Sequence, residues 1–470
     1  MAQVIDQTRN YAADFGAIYR SSGIFYKPKG VKLTISVSDY WSYKNNLSVG
    51  LVVTERTMDG KVVSRRPMDF SDSYVLNLGI DGIEEGSVEI EAFSSKNLRI
   101  PYAAIMGIYE TPTGISMVHT YGRNHSLIEL EDGNSITEGR ESCWRIRHQE
   151  SIDNFAVFHN GHLPTEPQAA TLILTDVHGT DTAVEFGMPA LRPFETFVFS
   201  LREIYPQYHD ALGDSDGWAT VHFQNASSFT RLLVMWRDID NGEIQVTHSN
   251  FDYSSHRTNL LKSDKPAIMK LPEIVGATAE EVVVYPKFNE GSYRISVEDD
   301  TTTTTTGLFL PVKPKDKVVT FRRDDGDLPS RIVTGFAAAL DNDALPFECS
   351  LGVAHEKRPP KRFHWMVVSR KYKSRVMATD FREIYGEPEN GIKLVFSLYN
   401  AFDRDIARVE KAYDSLDQVP KSLALDEIFG GAEADLQDAF GYVSVFSEWG
   451  GFMFYSSLEK NHALTIEHSF

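Results

Sequence analysis

Short segments in which apolar and polar residues alternate recur along the whole chain. Examples are Val31-Lys-Leu-Thr-Ile-Ser-Val37 and Ser292-Tyr-Arg-Ile-Ser-Val297. A period of two is typical of a β-strand with one buried face, because successive side chains point to opposite sides of the strand. Turn-forming pairs such as Asp59-Gly60 and Asn241-Gly242 separate these segments. The sequence therefore predicts an all-β chain of antiparallel β-sandwiches.

The chain also contains a domain-sized internal repeat. Leu201-Arg-Glu-Ile-Tyr205 recurs as Phe381-Arg-Glu-Ile-Tyr385 and, more loosely, as Leu425-Asp-Glu-Ile-Phe429. Gly217 follows Ile204 by 13 positions, and Gly441 follows Ile428 by the same 13. The period of roughly 100 residues is too long for solenoids and propellers, so each unit is large enough to bury its own core.

The matched spacing predicts that the second and the last units superpose strand for strand. Gly217 then corresponds to Gly441, and His248 to His468. A slip of one residue would exchange the core face and the solvent face, so the register is fixed. We therefore expect Ile204 and Ile428 to be buried and the glutamates before them, Glu203 and Glu427, to point outward.

The repeat divides the 470 residues into three predicted units. These are β-sandwich repeats at 1–135, 136–260 and 261–470, the last with a possible extra partial repeat at 391–470. Three units agree with the usual domain size of roughly 100–200 residues. The pattern resembles tandem immunoglobulin-like sandwiches, a resemblance of fold that carries no function.

Composition excludes several function classes. The net charge of -19 disfavours general nucleic-acid binding and docking on anionic membranes. One basic run, 355–364, is interpreted as a solvated hairpin loop. No apolar stretch approaches the roughly 20 residues that span a bilayer, and the polar N-terminus is no signal peptide. We therefore expect a cytoplasmic protein, or a particle assembled in the cytoplasm, without membrane insertion.

The segment 119–148 concentrates the residue types that could carry chemistry. The candidate catalytic residues are His125, Glu129, Arg140, Cys143 and His148. The candidate metal ligands are His119, His125, Glu129 and His148, since imidazole and carboxylate suit zinc, iron or manganese. No His-x-His, His-x3-His or His-Glu-x-x-His spacing is present, so we favour the interpretation of these residues as interdomain hydrogen-bonding groups, which need polar partners when buried. No cofactor is predicted beyond a possible divalent metal.

Cys143 has two interpretations. Three arginines lie close to it in sequence and could lower the pKa of its thiol. A buried cysteine also serves as a small apolar residue, which is the interpretation that we favour. With two cysteines in the whole chain, the sequence shows neither a disulfide framework nor a zinc-binding pair.

Three units end on a histidine followed by a hydroxyl residue. They are His119-Thr120, His248-Ser249 and His468-Ser469, each with an aromatic residue close by (Tyr121, Phe251 and Phe470). If the domains pack end to end, these histidines lie tens of ångströms apart, because a domain of this size is itself about 25 Å across. We expect separation. Convergence of the imidazoles would instead favour an enzyme.

Aromatic residues give a weaker hint of a binding surface. In a strand, the adjacent Tyr40 and Trp41 would point to opposite faces, so one of them should be exposed or lie at an interface. Adjacent carboxylates such as Glu84-Glu85 also point to opposite faces, which is the wrong geometry for a two-carboxylate catalytic site.

The function that these patterns favour is non-catalytic. The sequence lacks a nucleophile elbow, a phosphate loop and a Rossmann fingerprint. We therefore expect a structural or recognition protein that presents a binding or assembly surface, in particle formation or glycan binding. Its partner would be a protein, further copies of itself or a glycan. The alternative is a metal-dependent enzyme of carbohydrate metabolism that uses the 119–148 segment.

Overall fold

The computed structural model is nearly all β. It describes residues 2–70, 72–96, 104–119, 124–126, 137–138, 141–225, 231–250, 260–261, 265–286, 291–297, 300–312, 317–329, 332–341, 344–357 and 359–469. Eight main antiparallel sheets are present in these residues, and two further sheets contain two short strands each. The predicted all-β architecture of tandem sandwiches is confirmed.

Each main sheet takes its strands from one of four successive stretches of the chain, which we name sandwiches 1 to 4. Sandwich 1 consists of β1 (Tyr19–Lys27), β2 (Lys32–Ser38), β3 (Gly50–Thr57), β4 (Val62–Met68), β5 (Val75–Gly79), β6 (Gly86–Ser94), β7 (Ile105–Glu110) and β8 (Ile115–His119). The helices α1 (Ala2–Asp14) and α2 (Tyr40–Asn45) belong to this part of the chain, and β9 (Asn124–Ser126) adds to the edge of β1.

Sandwich 2 consists of β11 (Cys143–Ile146), β12 (Ile152–His159), β13 (Gln168–Thr175), β14 (Asp181–Met188), β15 (Thr196–Ser200), β16 (Gly217–His222), β18 (Leu233–Asp238) and β19 (Ile244–His248). Its helices are α3 (Leu201–Ile204) and α4 (Tyr208–Leu212). The short strands β10 (Thr137–Glu138) and β17 (Gln224–Asn225) pair with each other beside it.

Sandwich 3 consists of β21 (Ala267–Lys270), β22 (Ala279–Val284), β23 (Tyr293–Val297), β24 (Asp300–Thr304), β25 (Leu308–Pro311), β26 (Val318–Arg323), β28 (Val333–Ala339) and β29 (Phe347–Gly352). The short strands β20 (Leu260–Leu261) and β27 (Leu328–Pro329) form a pair next to it. β24 holds most of the threonine run and is an exposed edge strand.

Sandwich 4 consists of β30 (Phe363–Ser369), β31 (Arg375–Asp380), β32 (Ile392–Tyr399), β33 (Ile406–Tyr413), β34 (Ser422–Ala424), β35 (Phe440–Ser447), β36 (Phe452–Lys460) and β37 (Ala463–His468). It also contains α5 (Arg382–Tyr385), α6 (Leu425–Phe429) and two 3-10 helices at Leu416–Gln418 and Ala432–Leu436. The predicted third unit, 261–470, thus spans sandwiches 3 and 4, and the suggested partial repeat at 391–470 begins inside sandwich 4.

All four sandwiches have the same strand order. When the eight strands of a sandwich are counted along the chain, one sheet has the order 1-6-3-4 and the other 5-2-7-8. Apolar side chains from both sheets form one core in each sandwich, as Trp144 and Trp236 do in sandwich 2. Identical order in four sandwiches is what the internal repeat predicts.

Sandwiches 2 and 4 align as expected from sequence. A Cβ on Gly217 would come within 2.7 Å of the Thr175 carbonyl oxygen, and a Cβ on Gly441 within 2.6 Å of that of Tyr399. Gly217 is the first residue of the sixth strand of its sandwich, and Gly441 is the second residue of the sixth strand of its own. At both positions another backbone comes so close that only glycine fits. Glu203 and Glu427 are exposed, as predicted.

The two isoleucines of this alignment differ slightly. Ile428 is buried at 3 % exposure, whereas Ile204 is partly buried. Ile204 is the last residue of the single-turn helix α3 and packs at the margin of the sandwich 2 core. The third sequence copy, 381–385, is not an equivalent of the other two, because α5 follows the second strand of its sandwich rather than the fifth.

The four sandwiches close into a ring around their last strands. β8 lies against β19 and β37, and β29 also lies against β19 and β37. Each of these strands is the edge strand of its sheet. The ring therefore buries four sheet edges at its centre, where they cannot pair with other chains.

Apolar contacts join neighbouring sandwiches around this ring. Val157 and Met235 of sandwich 2 belong to the same apolar cluster as the core of sandwich 1. Trp218 of sandwich 2 and Ile466 of sandwich 4 pack with the core of sandwich 3. A further apolar cluster, which includes Trp365 of sandwich 4 and Met117 of sandwich 1, joins these two sandwiches.

Candidate functional site

Three histidines meet at the centre of the ring. His119, His248 and His468 end β8, β19 and β37, respectively. The ring centroid of His119 is 4.7 Å from that of His248 and 5.8 Å from that of His468. The expected separation is therefore wrong. The sandwiches close around their last strands instead of joining end to end, and this brings the equivalent strand ends together.

Glu467 is the carboxylate of this histidine cluster. Both of its side-chain oxygens lie 3.2 Å from Nδ1 of His119, and the backbone N–H of His119 donates to Oε1 at 3.4 Å. His119 and the electric field of His468 lower the pKa of Glu467 despite its burial. The last strand of sandwich 4 is thus tied to the last strand of sandwich 1 by a buried ionised group.

The other two histidines are fixed by their own strand ends. Nδ1 of His248 lies 2.9 Å from the carbonyl oxygen of Ser249, and Nδ1 of His468 lies 3.2 Å from that of Ser469. A carbonyl oxygen can only accept, so in both rings Nδ1 carries the hydrogen and Nε2 has the lone pair when the ring is neutral.

Burial keeps these two rings neutral at physiological pH. Removal from water holds the pKa of His248 well below its usual value, and the positive field of Arg231 acts in the same direction. For His468, burial lowers the pKa to about 4, although the adjacent Glu467 opposes the shift. Positive charges on both of these rings would repel each other.

The chemistry open to the cluster is hydrogen bonding and, in principle, metal ligation through Nε2. Within the described residues, however, no group of three or more His, Cys, Asp or Glu side chains is arranged to hold a metal ion. The polar contacts around the cluster instead join strands of different sandwiches. Oγ of Ser116 lies 3.1 Å from Oε1 of Gln245, and Nε2 of Gln245 donates to the carbonyl oxygen of Leu464 at 3.2 Å.

Among the remaining predicted site residues, His148 lies apart from His119. The ring of His148 lies 4.8 Å from that of His209, within sandwich 2, and its backbone N–H donates to Asp216 at 2.8 Å. The backbone of His125 pairs with Arg20, while its side chain lies outside the described residues. Glu129 and Arg140 also lie outside them, as do the aromatic residues Tyr121, Phe251 and Phe470.

Cys143 is fully buried and belongs to the apolar cluster between sandwiches 2 and 3. Its backbone exchanges hydrogen bonds with Asn250, at 3.0 and 2.7 Å. The neighbouring Arg145 forms ion pairs with Asp216 and Glu281, each at 2.6 Å. Because these carboxylates neutralise Arg145, that arginine is not a free positive charge beside the thiol.

The sequence analysis missed a second polar cluster, on the face of sandwich 1 that points away from its own core; there the guanidinium of Arg56 lies 4.2 Å from the ring centroid of Phe194 in sandwich 2. Arg20 binds Glu91 and Glu89, each at 2.5 Å, Arg56 lies 2.8 Å from Glu89, and Arg65 lies 2.9 Å from Glu91. All five side chains are nearly inaccessible. Positive neighbours lower the pKa of Glu89 to about 2. The carboxylates are thus held ionised by arginines, which suits a structural ion network rather than a general acid.

A signal for this second cluster was present in the alternation of β6. Glu89 and Glu91 are two residues apart, so they share one face of the strand, unlike the adjacent carboxylate pairs considered from sequence. The arginines come from three other strands, and sequence spacing does not reveal that these strands are neighbours.

The aromatic segment at Tyr40 forms the helix α2 and not the strand assumed from sequence. Asp39 caps it by accepting the backbone N–H of Ser42 at 3.3 Å, which favours a helical turn. Trp41 is buried at 1 % exposure in sandwich 1. Tyr40 packs on Trp365 with ring centroids 4.2 Å apart, so the segment lies at the interface with sandwich 4.

No helix in the part of the chain that the structure describes combines the length and the apolar character needed to cross a membrane. No protein-family model matches the chain, and no curated protein matches its sequence.

Proposed function

We propose that this chain is a non-catalytic structural and recognition protein whose ring of sandwiches presents its outer surface to a partner or to further copies of itself. Convergence of the imidazoles by itself favours an enzyme. One observation keeps the non-catalytic function first: His119 and His248 are only 2 % and 6 % exposed, and the neighbouring carboxylate, Glu467, already contacts His119 through both of its oxygens.

The outer strands offer surfaces for such a role. β14, β24 and β33 are sheet edges, each with neighbours on one side among the described strands. β14 and β33 alternate exposed and partly buried residues, and Ile406 at the start of β33 is 41 % exposed. An open edge can accept an added strand, and the apolar side chains beside it can supply contact area.

The test combines oligomeric state with ligand binding. Light scattering over a hundredfold range of protein concentration should show self-association, or a glycan array should show specific binding. An assembly interface should bury more than roughly 1,000 Å². A strictly monomeric protein that binds no glycan and buries no interface of this size would contradict the proposal.

The convergence of the histidines favours one alternative, a metal-dependent enzyme of carbohydrate metabolism. His119 and His248 come from different sandwiches and their rings are 4.7 Å apart. A divalent metal would need a third ligand beside these two rings, and the described residues hold no such group of three, so the ligand would have to come from the rest of the 119–148 segment or from a rearrangement of Glu467. Elemental analysis of the purified protein tests it directly. A metal content below about a tenth of an equivalent, with stability unchanged by chelator, would remove this alternative.

A further inference from the structure

Sandwich 4 contains an open cleft of about 410 Å³ on its outer surface. This volume is in the range that binds small ligands. The cleft lies between the connection from β30 to β31 and the segment that begins α6, and every residue from 359 to 469 is described there. Its polar lining consists of Ser369, Arg370, Lys373, Ser374, Arg375, Asp426, Glu433 and Glu459.

One wall of the cleft is basic, in a chain with a net charge of -19. Arg375 is held in place, because its Nε donates to Oγ of Ser422 at 2.7 Å. Lys373 lies 3.0 Å from Glu459. Arg370 is exposed; its carbonyl oxygen accepts the backbone N–H of Lys373 at 3.4 Å, while its guanidinium makes no hydrogen bond or ion pair with another residue of the described chain. A free guanidinium beside a fixed one is suited to binding a carboxylate.

The opposite wall carries carboxylates. Asp426 is exposed, and among the described residues its carboxylate has no hydrogen-bond or ion-pair partner. Glu433 accepts the backbone N–H of Gly431 at 2.8 Å through one oxygen, which leaves its other oxygen available. Carboxylate oxygens accept hydrogen bonds from hydroxyl groups. The two walls together suit a ligand with an acid group at one end and hydroxyl groups at the other.

The equivalent place in sandwich 2 is closed. The sequence repeat aligns Leu201-Arg202 with Leu425-Asp426, so Arg202 occupies the position of Asp426. Arg202 donates to the carbonyl oxygen of Glu150, in the connection between β11 and β12, and lies 3.6 Å from Asp153. In sandwich 4 the connection between β30 and β31 carries Arg370 and Lys373, the helix begins with Asp426, and an open cleft lies between them.

We propose that this cleft binds an acidic sugar unit of a glycan, with Arg370 and Arg375 on the sugar carboxylate and Asp426 and Glu433 on its hydroxyl groups. The proposal deepens the recognition function proposed above and rests on it. Of the partners proposed above, a glycan and not a second copy of the chain would occupy this cleft.

Isothermal titration of the full chain with trigalacturonate tests the site, with maltotriose as the uncharged probe. Trigalacturonate should bind saturably and maltotriose should not. Arg370→Gln should weaken the Kd at least tenfold, because a hydrogen bond to a charged group is lost. Asp426→Asn should weaken it about threefold or more. Arg408→Gln, an exposed arginine on β33 of the same sandwich, is the matched control and should change nothing.

Absence of saturable binding, or an Arg370→Gln variant that binds as wild type does, would overturn the proposal. Equal binding of inorganic sulfate, or of the zwitterion trialanine, would overturn the assignment to an acidic sugar. Light scattering of Arg370→Gln distinguishes failure of the cleft proposal from failure of the proposed function. Self-association does not depend on the cleft, so it should persist in this variant even if no sugar binds. Both variants change exposed side chains, so an unchanged Tm shows that each one folds.

Discussion

Three of the four central strands end in a histidine, and the central strand of sandwich 3 does not. β8, β19 and β37 contribute His119, His248 and His468, whereas β29 ends in Leu351-Gly352. β29 nevertheless lies between β19 and β37 as the symmetry of the ring requires. β29 thus takes its central position although it ends without a histidine. The histidine cluster is therefore not required for the sandwiches to close into a ring.

The contacts of β29 show what replaces a histidine. Oγ of Ser350 lies 3.0 Å from Nδ2 of Asn250, which follows β19. Burial and the charge of Glu467 hold the pKa of the Cys349 thiol well above its usual value, so this cysteine is a neutral, small side chain. The end of β29 thus meets sandwich 2 through neutral contacts, although the Arg145–Glu281 ion pair also joins sandwiches 2 and 3. On the other side of the centre a carboxylate and imidazoles join the sandwiches, and we expect that side to respond more strongly to mild acid.

Acidification should have the largest effect, and it should act through the histidine side of the centre. The pKa of His468 is lowered to about 4 from an ordinary 6.5. Between these values the unfolded chain binds a proton that the folded chain does not, so stability falls as the pH falls from about 6.5 to about 4. This interval corresponds to a loss of about 3 kcal/mol for His468 alone. Protonation places the new charge beside His119 and toward Lys361, and Glu467 and the hydrogen bond to the Ser469 carbonyl offset this only in part.

The measurement is urea unfolding of wild type and His468→Gln at a series of pH values. The free energy of unfolding of wild type relative to the variant should decrease by up to about 3 kcal/mol between pH 7 and pH 4. His178→Gln, at an exposed turn, is the control. A constant difference between wild type and His468→Gln across this range would show that His468 is not buried among these groups.

Replacement of Glu467 should have the next largest effect. Glu467→Gln removes the ionised acceptor of the His119 ring and should cost about 1–3 kcal/mol at pH 7. The matched change Glu448→Gln, at an exposed loop residue of the same sandwich, should be close to neutral. Unfolding free energies that are equal for the two variants would contradict the contact between sandwiches 1 and 4.

The smallest effect is expected on the side without a histidine. Ser350→Ala removes the hydrogen bond to Asn250 and should cost about 1 kcal/mol. It should leave the pH profile of wild type unchanged, because no imidazole loses a partner. A pH dependence altered as strongly as in His468→Gln would show that the two sides of the centre are not distinct.

The fold was largely predictable from sequence because its signals are local. Alternation predicted the strands, and the paired spacings to Gly217 and Gly441 predicted two equivalent sandwiches. The helix α2 was missed because the cap at Asp39 outweighed the β-forming aromatic residues after it. The sequence copy at 381–385 was misleading. A match of five residues does not show whether the segment follows the second or the fifth strand of its sandwich.

The candidate site could be predicted only in part. The recurrence of the three histidines was visible, but their contact depends on how the sandwiches pack, and this is set by apolar faces such as those of Met117 and Trp365. The sequence around either residue does not show which sandwich it will contact. Glu467 was overlooked for the same reason, because its partner His119 lies 348 positions away.

Small-angle X-ray scattering of the chromatographically separated monomer tests the closed ring most directly. A compact chain of this length should have a radius of gyration of about 23 Å. A row of four sandwiches joined end to end, each about 25 Å long, would give about 30 Å or more. A value near 23 Å with a globular distance distribution is the result expected here. A value above 30 Å with an elongated distribution would contradict the closure of the sandwiches around their last strands.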